Sequence, residues 1–271
     1  MCRIDDVREA VLAKNDSGAR GLRAALAERG LTLINLLSSP GSGKTALLEA
    51  ELTLARERGL PVAALTADLA TENDATRLAR SGAPVKQVLT DGLCHLETGM
   101  LSRHLDGWPD PGTRLVFVEN VGNLVCPASY DLGESLRVTL ASVTEGEDKP
   151  LKYPVAFGLA NLVVITKYDL AEAVDFDEAG FLANVRRVNP GVEVLRTSAR
   201  TALGTGDLLE RSLAAADAGT VHQPVMARDA RAGHHRHHHD DRAHEAGHGH
   251  SREGSAQPAP AEPESTGAAL L

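Results

Sequence analysis

Leu31-Thr32-Leu33-Ile34-Asn35-Leu36-Leu37 runs directly into Ser38-Ser39-Pro40-Gly41-Ser42-Gly43-Lys44-Thr45. The first half is a short, almost wholly apolar run, suited to a strand buried on both faces. The second half carries two glycines and a Lys-Thr pair, and a helical pattern follows over 46–59, closed by Gly59 and Pro61. Gly41 and Gly43 let backbone amides, that of Ser42 among them, curl round a phosphate with no Cβ in the way. The amides that open the helix, up to Ala46, aim at the same place. Lys44 reaches the β- and γ-phosphates, and the Thr45 hydroxyl ligates Mg²⁺. Ser38 stands where the usual pattern opens with glycine. The rival reading, a glycine-rich turn before an ordinary helix, leaves Lys-Thr without a purpose. Strand, phosphate loop and helix in this order make the stretch the first βα unit of a P-loop nucleotide-binding domain.

The same alternation continues outward. Short apolar runs at 62–66, 85–89, 115–119, 138–143, 162–166 and 192–196 read as strands. Helical patterns at 73–80, 95–105, 176–188 and 206–215 lie between or after them. This is an α/β pattern, a mostly parallel sheet with helices on both faces. Ahead of it, 5–29 is helical in pattern through Val7, Val11, Leu12, Leu22 and Leu26, with a break at Asp16-Ser17-Gly18. The expected organisation is an N-terminal helical segment at 1–30, a P-loop GTPase domain at 31–226 and a disordered tail at 227–271.

Composition excludes several classes. The chain of 271 residues has 42% hydrophobic and 24% charged residues, enough for a packed core, but aromatics are only 3%. Stacking platforms for single-stranded nucleic acid need more. Of the net charge of −9, the tail holds −2, seven acidic residues against five basic. The body is therefore acidic, the wrong sign for binding phosphate backbones, so no nucleic acid is expected. No run is long and apolar enough for a membrane span, and Met1-Cys2-Arg3-Ile4 opens no apolar signal core. Three cysteines suit a reducing compartment, and the expected location is cytoplasmic.

Thr166-Lys167-Tyr168-Asp169 follows an apolar strand. A carboxylate at Asp169 accepts from guanine N1 and N2, whereas adenine has an acceptor at N1 and no amine at C2, so a buried Asp rejects ATP. Lys167 belongs to the same loop. Thr197-Ser198-Ala199-Arg200 suits a loop closing over the base through Ser198 and Ala199. Two carboxylates at strand ends, Asp68 and Glu119, can complete the magnesium sphere with Thr45, and with Lys44 form the expected catalytic set. Glu119-Asn120-Val121-Gly122 has the form of a switch whose glycine amide senses the γ-phosphate. No glutamine follows Gly122 to orient water, so intrinsic hydrolysis should be slow.

Cys94-His95 and Cys126 form a second constellation. Two thiols and an imidazole suit Ni²⁺ or Zn²⁺. Adjacent residues on a helix diverge by about 100°, so one ion is served best at a helix start or between two subunits. Spacing alone leaves a metal pair and two buried small side chains both open. His104 is an outer ligand or a lone surface histidine. The tail adds His234, His235, His237, His238, His239, His244, His248 and His250, a multidentate imidazole tract suited to Ni²⁺. An expression tag would be an uninterrupted run at a terminus, and this tract is irregular and internal. An inert tail is the other reading.

Taken together, 35–45, 68–74, 94–96, 119–127 (Glu-Asn-Val-Gly-Asn-Leu-Val-Cys-Pro) and 144–154 resemble the HypB family of hydrogenase nickel-incorporation GTPases. The resemblance implies a homodimer formed on GTP binding, with Cys94, His95 and Cys126 as metal ligands at its interface. It implies nickel delivery to the large subunit of a nickel-iron hydrogenase, alongside a small zinc-containing accessory protein. The 144–154 stretch would lie at the dimer contact, with Lys149 facing the neighbouring nucleotide. Cofactors so implied are GTP, Mg²⁺, Ni²⁺ and Zn²⁺. Two departures stand out: only Cys2 remains of the N-terminal cysteine cluster some members carry, and the histidine tract is C-terminal. Service to urease by a related GTPase, or nickel storage with a weak GTPase, are the rival functions.

Overall fold

The computed structural model describes residues 2–68, 73–90, 92–217, 219 and 221–227. The eight tail histidines, His234 to His250, lie outside the described residues. Seven strands form one sheet: β1 (Thr32–Ser38), β2 (Val62–Asp68), β3 (Val85–Leu89), β4 (Leu115–Glu119), β5 (Leu136–Ser142), β6 (Leu162–Thr166) and β7 (Glu193–Arg196). Their spatial order is β3-β2-β4-β1-β5-β6-β7, and every neighbouring pair is parallel. The expected α/β P-loop architecture is the one observed.

A parallel sheet must be covered on both faces, and side chains alternate between those faces. On one side Ile34, Leu36, Phe117 and Val138 pack against Leu47, Leu48 and Leu52 of α2 (Lys44–Glu57) and Leu208 and Leu209 of α8 (Asp207–Ala216). On the other, Leu33, Leu65, Val116 and Val118 meet Leu22 and Leu26 of α1 (Cys2–Glu28) and Leu101 and Leu105 of α4 (Thr98–Leu105). Farther along, Leu37, Val163 and Ile165 lie beneath Phe157 of α6 (Pro154–Gly158) and Phe181 and Val185 of α7 (Glu178–Val188). Each such leucine or phenylalanine, fully buried, contributes about 2 kcal/mol. Helices α3 (Asn73–Ala79) and α5 (Lys149–Lys152) are short.

The expected break at Asp16-Ser17-Gly18 does not occur: α1 is one continuous helix. Its buried stripe is Asn15, Ala19, Leu22 and Leu26, at helical spacing, while Val11 is exposed. Asn15 Oδ1 accepts from Thr98 N at 3.0 Å and its Nδ2 donates to Asp131 O at 2.7 Å. Gly18 lies close against the Thr98 side chain. A glycine inside a helix costs about 1 kcal/mol, which these contacts outweigh. In the other direction, α4 begins at Thr98 rather than at His95, so Cys94 and His95 sit in the loop ahead of it. Among the described residues no helix is long and apolar enough to cross a membrane.

Candidate nucleotide and metal site

The register aligns Leu36 of β1 with Glu119 of β4, and Glu119 with Thr66 of β2. The C-terminal ends of these central strands therefore open on a common crevice, where ligands bind in sheets of this kind. The cavity there holds about 500 Å³, within the range of small-molecule sites. Its walls are the 38–46 loop, Asp74, Arg77, Glu119, Asn120 and Gly122. Gly41 and Gly43 both take positive φ, 72° and 92°, which is why side chains are absent there. Helix α2 starts at Lys44 with no side-chain cap and no acidic residue in its first turn. Its opening amides and positive dipole end are thus left for an anion.

Lys44, buried, donates to the main-chain carbonyl of Asn120. The Thr45 hydroxyl donates to Glu119 Oε1 at 2.6 Å and lies 3.3 Å from Asp74 Oδ1. Glu119 is only 2% exposed, and its Oε2 makes no hydrogen bond of ordinary geometry. Burial pushes its carboxyl above the usual range, opposed by the Lys44 charge and the Thr45 hydroxyl. A buried carboxylate with an open oxygen beside a hydroxyl is a hard, oxygen-only donor set, which fits Mg²⁺. Asp68 closes β2, and its side chain lies outside those described. Gly122 follows three residues after Glu119; a Cβ there would meet Pro40 Cα at 3.2 Å, so the two loops touch.

The 166–169 loop is tied to the 38–45 loop. Thr166 Oγ1 donates to Ser42 O at 2.5 Å, and Lys167 Nζ donates to Gly41 O at 2.7 Å. Lys167 itself adopts φ 54°, a left-handed conformation that costs a non-glycine residue about 1 kcal/mol. Asp169 Oδ1 accepts from Ser198 Oγ, and Oδ2 from Arg200 Nε at 2.7 Å. The Ser198 hydroxyl and then the Arg200 guanidinium hold this carboxyl below its usual range. It is therefore a committed acceptor, with lone pairs beyond these two bonds for a ligand's N–H groups. Ala199, between its two partners, is exposed.

The second constellation is brought together in pairs. Cys94 and Cys126 are both free thiols; the neighbouring Cys126, ahead of burial, raises the Cys94 pKa, and Cys94 Sγ lies 3.8 Å from His95 Nδ1. The His95 ring packs on Tyr130 with centroids 4.0 Å apart, and its buried Nε2 has no hydrogen-bond partner. Among the described residues no three His, Cys, Asp or Glu side chains are grouped about one point. His104 lies on α4, its pKa lowered by burial and then by Lys86. Lys149 pairs with Glu145 at 2.8 Å and lies 4.7 Å over the Tyr153 ring.

Reading the sequence missed Asp74 and Arg77 as cavity residues, and a buried polar group made by Asn35, Asn120, Glu134 and Arg137. The one visible signal was Asn35, a lone amide inside an apolar strand.

Residues 32–196 match the family model described as "CobW/HypB/UreG, nucleotide-binding domain". The chain is 46% identical over 203 residues to the hydrogenase maturation factor HypB of Azotobacter vinelandii, covering 75% of this chain and 67% of that one. It is 44% identical to the HypB of Escherichia coli K12, covering 74% and 69%. A crystal structure of HypB from Helicobacter pylori in complex with nickel superposes with a TM-score of 0.69 at 34% identity, over 78% of this chain and 98% of that one.

Proposed function

The chain belongs to the CobW/HypB/UreG family, within its HypB group, and from that premise we propose a GTP-hydrolysing nickel metallochaperone for maturing a nickel-iron hydrogenase. The observation that carries the reading is one short segment: Glu119 holds Thr45, Gly122 abuts Pro40 of the 38–45 loop, and Cys126 neighbours Cys94. Nucleotide and metal chemistry thus share eight residues of chain, 119–126, and a change at the γ-phosphate displaces a metal ligand directly.

In this reading the amides of 41–46 and the Lys44 charge bind the phosphates and stabilise charge developing on the transferred group. Thr45 and Glu119, with Asp68 at the next strand end, would hold Mg²⁺, which would supply positive charge against the phosphates. Asp169 selects guanine, with Ser198 and Ala199 at the base. Nickel is the cargo, taken by Cys94, Cys126 and His95. In this reading a second copy completes the site within a GTP-dependent homodimer. Zn²⁺ is the alternative ion there. Leu151 and Val155, exposed apolar residues at and beside 144–154, suit that contact. The tail from 227 captures nickel ahead of transfer, and the other partners are a small zinc-containing accessory protein and the hydrogenase large subunit, in the cytoplasm.

Nickel titration of the full chain, with GDP and with a non-hydrolysable GTP analogue, tests the reading. The thiolate-to-nickel charge-transfer band reports the cysteine site, since imidazoles of the tail give none. Nucleotide-dependent affinity in that band is expected, and it should weaken in Gly122→Ala, whose new Cβ strikes Pro40. Equal affinity with both nucleotides would overturn it.

A further inference from the structure

Five of the buried polar groups form one continuous chain that starts at the phosphate-binding lysine and ends at the metal-site loop. Lys44 Nζ donates to the Asn120 carbonyl. Asn120 Nδ2 donates to Asn35 Oδ1 at 3.2 Å, and Asn35 Nδ2 to Glu134 Oε1 at 3.4 Å. Arg137 Nε donates to the same Glu134 oxygen at 2.6 Å. The Arg137 fork then holds two carbonyls, Ala128 O through Nη1 and Tyr130 O through Nη2, each at 2.8 Å. Those carbonyls belong to the turn that begins at Cys126, and the Tyr130 ring is the one on which His95 lies.

All four side chains between the ends are buried: Asn35 at 0%, Asn120 at 1%, Arg137 at 7% and Glu134 at 9% exposure. Their remaining groups are engaged too, Asn120 Oδ1 by Val121 N and Glu134 Oε2 by Leu132 N. In such surroundings a broken hydrogen bond leaves a desolvated group unpaired, costing about 1–3 kcal/mol. Neighbouring links therefore shift together rather than part. The far end is also fixed, because Asp131 is clamped to α1 by Arg23 at 2.7 Å and by Asn15. Between these tied ends, the short span from Asn120 to Tyr130 contains Cys126.

We propose that Asn35 and the Glu134–Arg137 pair are positioning residues that carry the phosphate occupancy of Lys44 to the metal ligands. With no γ-phosphate, Lys44 keeps one of its three N–H groups on the Asn120 carbonyl, beside any β-phosphate it holds. A bound γ-phosphate competes for the same ammonium, and the released carbonyl lets the Asn120–Asn35 link reset the Arg137 fork and the turn at Cys126. The two positions of Lys44 are the two states that coupling between distant sites requires. This rests on the nucleotide-dependent nickel site proposed above, and adds which residues transmit it.

The test uses the full chain and Asn35→Leu, which removes both amide bonds at similar volume. In the wild type, the thiolate-to-nickel band should give affinities that differ between GDP and the GTP analogue by about fivefold or more. In Asn35→Leu that ratio should fall towards one, while GDP affinity and the band itself persist. Equal ratios in both proteins would overturn the relay and leave the nickel site standing. No difference in the wild type would remove the nickel reading and the relay together. A second measurement needs no substitution: the Arg137 Nε–H resonance of ¹⁵N-labelled protein should move between the two nucleotide states. A resonance that stays fixed would overturn the relay even if Asn35→Leu did not fold.

Discussion

The Thr45 hydroxyl donates to Glu119 Oε1 at 2.6 Å, joining the first turn of α2 to the end of β4. Neither residue is near the other in sequence, and the bond exists because β1 and β4 are adjacent in the sheet. It leaves Oε2 of a buried carboxylate without a hydrogen-bond partner at the edge of a cavity of about 500 Å³. Removing that oxygen's charge is the most direct attack on the site.

Glu119→Gln keeps the shape and the Thr45 contact but takes away the anionic ligand. Phosphate release at saturating GTP and Mg²⁺ should fall by about 10²-fold or more. A variant with unchanged kcat would place the magnesium ligand elsewhere.

Asp169→Asn exchanges an acceptor for a donor against the base. Guanine then faces an N–H with its own N–H groups, whereas xanthine offers a carbonyl at C2. GTP affinity should drop by about 10³-fold, with xanthosine triphosphate gaining, as competition binding would reveal. Equal loss for both nucleotides would show that Asp169 only shapes the loop.

Glu51 gives a pH signature outside the site. It is fully buried beneath α8, accepting from Gly206 N at 3.0 Å and Leu209 N at 3.1 Å. Burial raises its pKa to about 7, against the lowering by those two amides. A raised folded-state pKa favours the protonated form. The stability it confers is complete below about pH 4.5, the unfolded value, and is lost as pH rises through about 7. That loss is about 3 kcal/mol at most. Denaturation from pH 5 to 8 should show wild type and Glu51→Ala converging as pH rises; parallel curves would contradict it.

Deleting 227–271 should abolish the nickel bound without a thiolate band and leave nucleotide-dependent binding at Cys94 and Cys126. The cut falls just past Met226, whose side chain lies against Gly158. Metal analysis with and without the deletion decides. Loss of the thiolate band as well would make the tail part of that site.

Much of the protein is written locally. Gly41 and Gly43 determine the phosphate loop because only glycine accepts its φ angles freely, and Lys44 and Thr45 follow in fixed register. The strands are legible because doubly buried parallel strands are largely apolar, and Leu31–Leu37 with 115–119 and 162–166 are so apart from Thr32, Asn35, Glu119 and Thr166. Asp169 stands out as a candidate base selector because that reading needs only one carboxylate just past a strand end. Other features depend on partners remote in the chain. The continuity of α1 through Asp16-Ser17-Gly18 follows from Thr98 and Asp131, which repay a local helix defect with buried hydrogen bonds. Cys94 meets Cys126, and Asn35 meets Asn120 and Glu134, only once strand order has set those loops side by side. Local backbone preference and hydrophobic pattern determined the βα units and the phosphate loop. Strand order decided which buried polar groups satisfy one another, because a desolvated amide or carboxylate takes its partner from whatever the fold places within reach.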